Sequence, residues 1–266
     1  MRILGLDLSI TSPGFCIMDV NEDDGYRIRQ IDLHGFTKTD KWKFEGDGLI
    51  IHQFPKDYNQ HPSHYRPTLV YDIVEPYLKE IDYVAIEDYA FGAKGKVFDL
   101  AEFAGSMKNY MYDRRIPIKK FPPMTVKLCA AGSGAADKVL MGMSFKASSL
   151  SKLVNPYLFM LPEYDNPQED LVDAIYMANT LRAEICYMAT GAFPVDLGMN
   201  VNNCATAILL GKKGAKTKPS IEHPLITFGA FTRVKKEKKV KKSDAEVEVK
   251  VSKKREPKKK LIVPKQ

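Results

Sequence analysis

The stretch RILGLDLSITSPGFCIMDV, residues 2–20, sets two apolar runs around a turn and places an acid inside the first run. The apolar runs are typical of buried strands, and the Ser12-Pro13-Gly14 sequence is typical of a tight turn. We therefore predict a hairpin with strands over 2–9 and 14–20. Asp7 falls in the middle of the first predicted strand, where a hairpin has no structural need for a carboxylate. Its position indicates a functional role.

The composition limits the class of protein. A chain of 266 residues can bury a substantial core, as one large domain or two small ones. The N-terminal residues do not fit a signal peptide, and no apolar run approaches the roughly 20 residues of a membrane span. The four cysteines are scattered and show no metal-binding spacing. We expect an intracellular, cytoplasmic protein that is neither secreted nor membrane-bound.

The positive charge is concentrated at the C-terminal end. Residues 233–266 contain 15 Lys and Arg but 5 Asp and Glu, whereas residues 1–232 contain 25 and 28. The end segment has few large apolar residues, so we predict a disordered tail. Such a tail can keep the protein soluble or bind phosphates without sequence preference. Its KKREPKKK run can equally serve as a targeting signal or bind a protein partner.

The body of the chain alternates between strand and helix patterns. Three consecutive strands, ending with 26–36, are followed by a weaker strand at 48–54 and by strand–helix–strand units. A helix is predicted over Thr68–Lys79, and the short β-branched strand DYVAIED follows it. These features predict a mixed sheet flanked by helices. Residues 37–65, rich in His, Asp, Lys and Pro, indicate an elaborated loop.

Acids recur at positions that a sheet and a helix bring together. Glu87 ends a predicted strand, and PQEDLVDAIYMANTL places Asp170 and Asp173 three residues apart on one helix face. The same helix has an apolar packing side formed by Leu171, Ala174, Ile175 and Ala178. A single acid at such a place is usually a cap or a solvated residue, so the pattern favours a joint site only moderately. Gathered carboxylates repel unless a cation holds them, and Mg²⁺ is the cation that suits oxygen ligands.

The segment PPMTVKLCAAGSGAADKV, residues 122–139, adds positive charge and flexible backbone. Gly132 and Gly134 permit a ligand to approach the backbone, and Lys127 and Lys138 can face a phosphodiester. The segment lacks the Gly-Lys-Ser/Thr of a Walker loop. On its own it fits a joint between two helices with exposed lysines at least as well.

Four of these stretches together resemble the RuvC-type Holliday junction resolvases of the ribonuclease H-like superfamily. They are GLDLSITSPGF, AIEDYAF, VKLCAAGSGAADK and PQEDLVDAI, and the third is the most specific. The resemblance implies an α/β fold with a mixed five-stranded sheet, in which three antiparallel N-terminal strands precede parallel strands. It implies a nuclease domain over 1–185 with an insertion at about 37–65, and a bacterial or phage-infected host cell. An extension at 186–232 would pack on that domain, ahead of the basic tail at 233–266.

The family likeness also implies an activity. It implies a metal-dependent endonuclease that works as a homodimer and nicks four-way DNA junctions by two-metal phosphodiester hydrolysis, resolving recombination or replication intermediates. Two Mg²⁺ ions per active site, for which Mn²⁺ would substitute, would be held by Asp7, Glu87, Asp170 and Asp173. Lys127 and Lys138 would act near the scissile phosphate and contact the DNA.

The sequence departs from the family in ways that leave specificity open. The segments before VAIED and after Lys138 are long, and the aromatic residue that would stack at the junction has shifted register. Tyr89 and Phe91 are both candidates for DNA stacking, and a core role for Phe91 is equally open. Lys235 and Lys236, in the tail, are expected to bind DNA. The alternatives are a nuclease for branched or flap DNA generally, and a catalytically silent DNA-binding or scaffold protein.

Overall fold

A computed structural model describes residues 1–57, 60, 65–88, 97–161 and 167–197. The chain divides into two compact units, 1–228 and 229–266, and every described residue belongs to the first. The strands are β1 Arg2–Asp7, β2 Gly14–Asn21, β3 Arg27–Thr37, β4 Phe44–Gly46, β5 Leu49–Gln53, β6 Tyr83–Glu87 and β7 Ile118–Phe121. The helices are α1 Tyr65–Leu78, α2 Val97–Asp113, α3 Pro123–Ala131, α4 Lys138–Ala147 and α5 Pro167–Thr190. Short 3₁₀ turns occupy Asp40–Trp42, Ser149–Lys152 and Pro156–Met160.

The strands form one mixed sheet in the order β4-β5-β3-β2-β1-β6-β7. Strands β1, β2 and β3 pair antiparallel, whereas β1–β6 and β6–β7 pair parallel. The predicted α/β class, with three antiparallel N-terminal strands followed by parallel strands, is therefore confirmed. Within the described residues the sheet has seven strands rather than the predicted five, because the insertion adds β4 and β5 beside β3. β4 has only three residues, too few to produce a period in the sequence.

The alternation of side chains along β1 assigns its residues to the two faces of the sheet. Ile3 belongs to the core cluster that contains α5, whereas Leu4 and Leu6 belong to the cluster that contains α1 and α2. Gly5 and Asp7 share the parity of Ile3. Asp7 therefore lies on the face that α5 covers. This placement follows from the alternation of side chains along a strand.

Helix α5 lies very close to this face because two strand positions carry no side chain. A Cβ added at Gly5 would collide with the backbone carbonyl of Ala174, and one added at Gly14 would lie 2.6 Å from that of Asp170. The packing side predicted for α5 is confirmed, since Leu171, Ala174, Ile175 and Ala178 are all fully buried. The glycines thus permit the contact that brings the acids of α5 to β1.

Buried charged residues fasten the far half of α5. Lys119 on β7 pairs with Glu184 on α5, and both side chains are 1% exposed. The fully buried Arg182 donates to the carbonyl of Tyr26 at 2.7 Å and to Asp196 at 2.8 Å. α5 continues to Thr190, beyond the boundary predicted at 185, so the division of the chain into domains stays a prediction. Among the helices that the structure describes, none is long and apolar enough to cross a membrane.

Candidate active site

Asp7 and Glu87 lie side by side at the carboxyl-terminal edge of the sheet, where the parallel strands β1 and β6 end. Each is the last residue of its strand, and the parallel register pairs Leu6 with Ile86 immediately before them. The prediction that Asp7 lies in the middle of its strand is wrong, because β1 pairs with β2 only as far as Asp7 and Gly14. The position of Glu87 at a strand end is confirmed. Adjacent parallel strands with coincident ends explain why two acids distant in sequence meet.

Asp170 and Asp173 reach the same edge from the first turns of α5. Asp170 lies against Gly14, and its carboxylate accepts hydrogen bonds from the side chains of Ser12 and Ser9. Ser12 is buried, although the sequence indicated only a turn residue there. The two serines orient one carboxylate through side-chain bonds, and Ser12 does so across 158 residues of chain, which no local pattern reveals.

The four acids form one electrostatic group. Burial, reinforced by Asp170, Asp173 and Glu87, raises the pKa of Asp7 well above its usual value. Burial is likewise the largest cause that raises the pKa of Glu87 to about 7, of Asp170 to about 6 and of Asp173 to about 7. Asp170 contributes to the shifts of both Glu87 and Asp173. The four acids therefore interact electrostatically and belong to one centre.

Two lysines supply the opposing charge. Lys127 on α3 lowers the pKa of Glu87 and Asp173 against the effect of burial, and Lys138 does the same for Asp7, Asp170 and Asp173. The segment between them is a joint between two helices, with Gly132 left-handed at φ 75° and Asp137 capping α4. The interpretation as a joint between two helices is therefore confirmed, and phosphodiester binding by the segment stays a prediction.

Lys138 occupies a position that helix stability does not explain. It is the first residue of α4, where the helix dipole disfavours a positive charge. Its ammonium instead pairs with Glu169, which is mostly buried, while the lysine itself stays mostly exposed. Glu169 thus holds Lys138 beside the acids, a role that the sequence did not indicate.

The donor set fits divalent cations in its chemistry. It consists of carboxylate oxygens, which Mg²⁺ and Mn²⁺ accept as ligands. As the side chains stand, no three His, Cys, Asp or Glu within the described ranges are gathered closely enough to hold one ion. Mutual repulsion among like charges favours this separation, and neighbouring carboxylates add to burial in raising the pKa values of Asp7 and Asp173.

Four predicted DNA contacts lie outside the described residues. Tyr89 and Phe91 come two and four residues after Glu87 but fall in the gap at 89–96, and Lys235 and Lys236 fall after residue 197. Their roles remain predictions. The same holds for the tail and for most of the predicted extension.

Comparison with known proteins gives relatives for this chain, although no protein-family model matches it. The crossover junction endodeoxyribonuclease RuvC of Synechococcus sp. (strain RCC307) is 28% identical over 138 residues, which cover 52% of this chain and 77% of the relative. RuvC of Prochlorococcus marinus (strain MIT 9312) is 28% identical over 139 residues, with 52% and 75% covered. This chain is therefore similar in sequence to RuvC proteins over about half of its length.

Solved structures align more loosely with this chain. Thermus thermophilus RuvC aligns with a TM-score of 0.46 and 20% identity, over 73% of this chain and 99% of that one. The fowlpox virus resolvase in complex with Holliday junction DNA aligns with a TM-score of 0.42 and 12% identity, over 70% and 99%.

All four stretches that resemble the RuvC family contribute side chains to the one acidic centre. The first supplies Asp7 with Ser9 and Ser12, and the second supplies Glu87. The third and fourth supply both lysines and both α5 aspartates. Residues separated by as much as 166 positions are thus neighbours, as Asp7 and Asp173 show.

Proposed function

We propose that this protein is a divalent-metal-dependent endonuclease that nicks four-way DNA junctions and so resolves recombination or replication intermediates. One observation carries the proposal: Asp7, Glu87, Asp170 and Asp173 converge from β1, β6 and α5 into one group, in which the charge of Asp170 adds to burial in raising the pKa values of the other three. Buried carboxylates grouped in this way destabilise the fold unless bound cations neutralise their charge. The relatives that match in sequence are named crossover junction endodeoxyribonucleases. Their name supports a DNA junction as the substrate.

The four carboxylates are proposed to hold two Mg²⁺ ions, with Mn²⁺ as a substitute. When bound, such ions neutralise phosphate charge and activate water for attack on the phosphodiester. The chain supplies rigidity, because Asp7 ends an interior strand and Asp170 is oriented by Ser9 and Ser12. Fixed ligands reduce the reorganisation that accompanies the reaction.

Lys127 and Lys138 are proposed to bind the phosphodiester on the other side of the acids. Both ammonium groups interact with Asp173, so a phosphate bound at the acids lies within their influence. Positive charge placed in advance stabilises the negative charge that develops on the phosphate oxygens. The pairing of Lys138 with Glu169 keeps that charge near the centre until DNA arrives.

The remaining parts of the proposal concern partners. The protein is proposed to act as a homodimer, since resolution of a junction needs two nicks placed symmetrically. Tyr89 and Phe91 are proposed to stack on junction bases, and the basic tail with Lys235 and Lys236 to add salt-dependent DNA affinity. The tail is also the candidate site for a protein partner.

The substrate class is tested by nicking assays on a set of DNAs. Synthetic four-way junctions, three-way junctions, flaps and plain duplex are each incubated with the full chain in Mg²⁺ or in EDTA. We expect paired, symmetric nicks in the four-way junction, and only with Mg²⁺. Equal cutting of every branched DNA would replace the proposal with a general branched-DNA nuclease. Tight junction binding without cutting would make the protein a silent DNA-binding protein.

A further inference from the structure

A cavity of about 350 Å³ opens beside the acidic centre, between α3, α4 and α5. Glu87 and Asp173 form part of its wall, together with Lys127 and Lys138. The cavity therefore shares its wall with the proposed catalytic group. A ligand in it would lie next to the phosphate that the acids and lysines are proposed to bind.

The rest of the cavity wall is mainly apolar. Val172 on α5 and Phe145 on α4 are buried, and the ring of Phe159 lies 5.9 Å from that of Phe145. Val139 and Met143 also line the cavity and are 54% and 63% exposed. Two large apolar side chains kept in water beside a charged centre contribute little to the core. Their exposure at the cavity favours contact with an apolar ligand surface.

The cavity is open beside Gly142, a residue of α4. It lies inside α4 and lines the cavity, and a Cβ built on it meets no atom within 4 Å. Glycine inside a helix costs stability relative to alanine, by roughly 1 kcal/mol. Because no neighbour requires the small residue, packing does not explain Gly142. A longer side chain at this position would therefore enter open space at the cavity wall.

We infer that this cavity takes an unstacked nucleobase from the nucleotide beside the scissile phosphate. The inference rests on the proposed nuclease function and adds a subsite to it. A nucleotide matches the wall in its chemistry, since its phosphate is an anion and its base has a flat apolar face. Sites for extruded bases combine apolar or aromatic walls with polar groups in this way, and their volume is typical of ligand pockets. A branch point supplies bases with fewer stacking neighbours than duplex does, so removing one from the stack costs less there.

The test fills the cavity from within. Gly142→Leu places a side chain in the open space, whereas Ser144→Leu adds the same side chain to the same helix at a position that does not line the cavity. Met143→Ala removes part of the wall at an exposed position, where misfolding is not expected. Circular dichroism and thermal unfolding establish that each variant folds.

Two readouts separate the base pocket from the nuclease activity. In the first, 2-aminopurine replaces each base near the crossover in turn, and its fluorescence is followed on binding to Asp7→Asn protein, which keeps the DNA intact. We expect one position to respond, the response to vanish with Gly142→Leu and weaken with Met143→Ala, and Ser144→Leu to leave it unchanged. A response that Gly142→Leu does not alter, or no response at any position, would overturn the inference.

In the second readout, single abasic sites replace the same bases, and nicking rates are measured with the acids intact. At the responsive position we expect the abasic site to slow the wild type roughly tenfold. Gly142→Leu should slow nicking of intact DNA to a similar degree, with little further loss at the abasic site. Additive losses would overturn the inference. If the wild type nicks no junction, the proposed function fails, while the fluorescence result still decides whether a base occupies the cavity.

Discussion

Gly14 lies so close to Asp170 that a methyl group on the glycine would stand 2.6 Å from the aspartate's backbone carbonyl. The turn of the first hairpin and the first turn of α5 are therefore in backbone contact. This contact fixes the position of Asp170 relative to Asp7, which pairs with Gly14 across β1 and β2. Packing of the fold and assembly of the acidic centre depend on the same absent side chain.

Gly14→Ala should therefore weaken both the fold and the site. Overpacking of this kind costs about 1–3 kcal/mol, which urea denaturation can measure. Mg²⁺-dependent nicking should fall as well, because α5 carries Asp170 away from Asp7. The matched control is Gly105→Ala in α2, where a Cβ meets nothing within 4 Å, and where helix propensity predicts equal or higher stability. Similar stability of the two variants would refute the tight contact.

Without metal, Asp7→Asn should stabilise the protein at alkaline pH. The pKa of Asp7 is raised in the fold, so the folded state binds its proton more tightly than the unfolded chain does. The stability contributed by that proton is present at low pH and is lost as pH rises through the folded pKa. In EDTA at pH 8 we therefore expect Asp7→Asn to be more stable than the wild type, by a margin that shrinks toward pH 4.

Asp72→Asn, at an exposed position on α1, is the control for that measurement and should leave thermal unfolding unchanged. Added Mg²⁺ should reverse the order of the proteins, because only the wild type retains all four ligands. A less stable Asp7→Asn protein in EDTA at pH 8 would contradict the proposed repulsion.

Mg²⁺ affinity should fall as pH decreases below about 7. The pKa values of Glu87 and Asp173 are raised to about 7 and that of Asp170 to about 6, so the ion must displace protons that these carboxylates bind in this range. Calorimetric titrations in two buffers of different ionisation heat should show proton release at pH 6.5 and much less at pH 8.5. Mg²⁺ binding that releases no protons at pH 6.5 would show that these acids are not its ligands.

The buried Lys119–Glu184 pair should stabilise the fold far more than the half-exposed Arg114–Glu75 pair does. Both partners are 1% exposed, so Glu184→Gln leaves a buried ammonium without its counter-charge and should lower the free energy of unfolding by about 3 kcal/mol. Glu75→Gln, which breaks the half-exposed pair with Arg114, should cost less than about 1 kcal/mol. A Lys119→Met/Glu184→Leu double variant should recover much of the loss. Equal costs for the two single variants would show that the buried pair carries no special stability.

Local patterns in the sequence predict a large part of this fold. The period of β1 and β2, the strand end at Glu87 and the packing side of α5 follow from spacing, because each depends on neighbouring residues only. The resemblance to RuvC adds the grouping of the acids, which spacing alone favoured only moderately.

The remaining features depend on contacts between distant parts of the chain. Ser12 meets Asp170, and Lys119 meets Glu184, through tertiary structure that no local period encodes. Lys119 lies buried in a strand where its residue type predicts exposure. Asp7 ends its strand because β2 begins at Gly14, and not because its own neighbours change character. Tertiary pairing therefore decides the details of the site that composition and spacing leave open.

The most direct test of the account compares Asp7→Asn with Asp72→Asn in nicking of a four-way junction by the full chain at saturating Mg²⁺. Both variants lose one carboxylate, but only Asp7 belongs to the acidic centre. We expect Asp72→Asn to give paired nicks at the wild-type rate and Asp7→Asn to lose at least roughly a hundredfold. Nicking by Asp7→Asn at the wild-type rate would contradict the claim that the four acids form one metal-dependent centre.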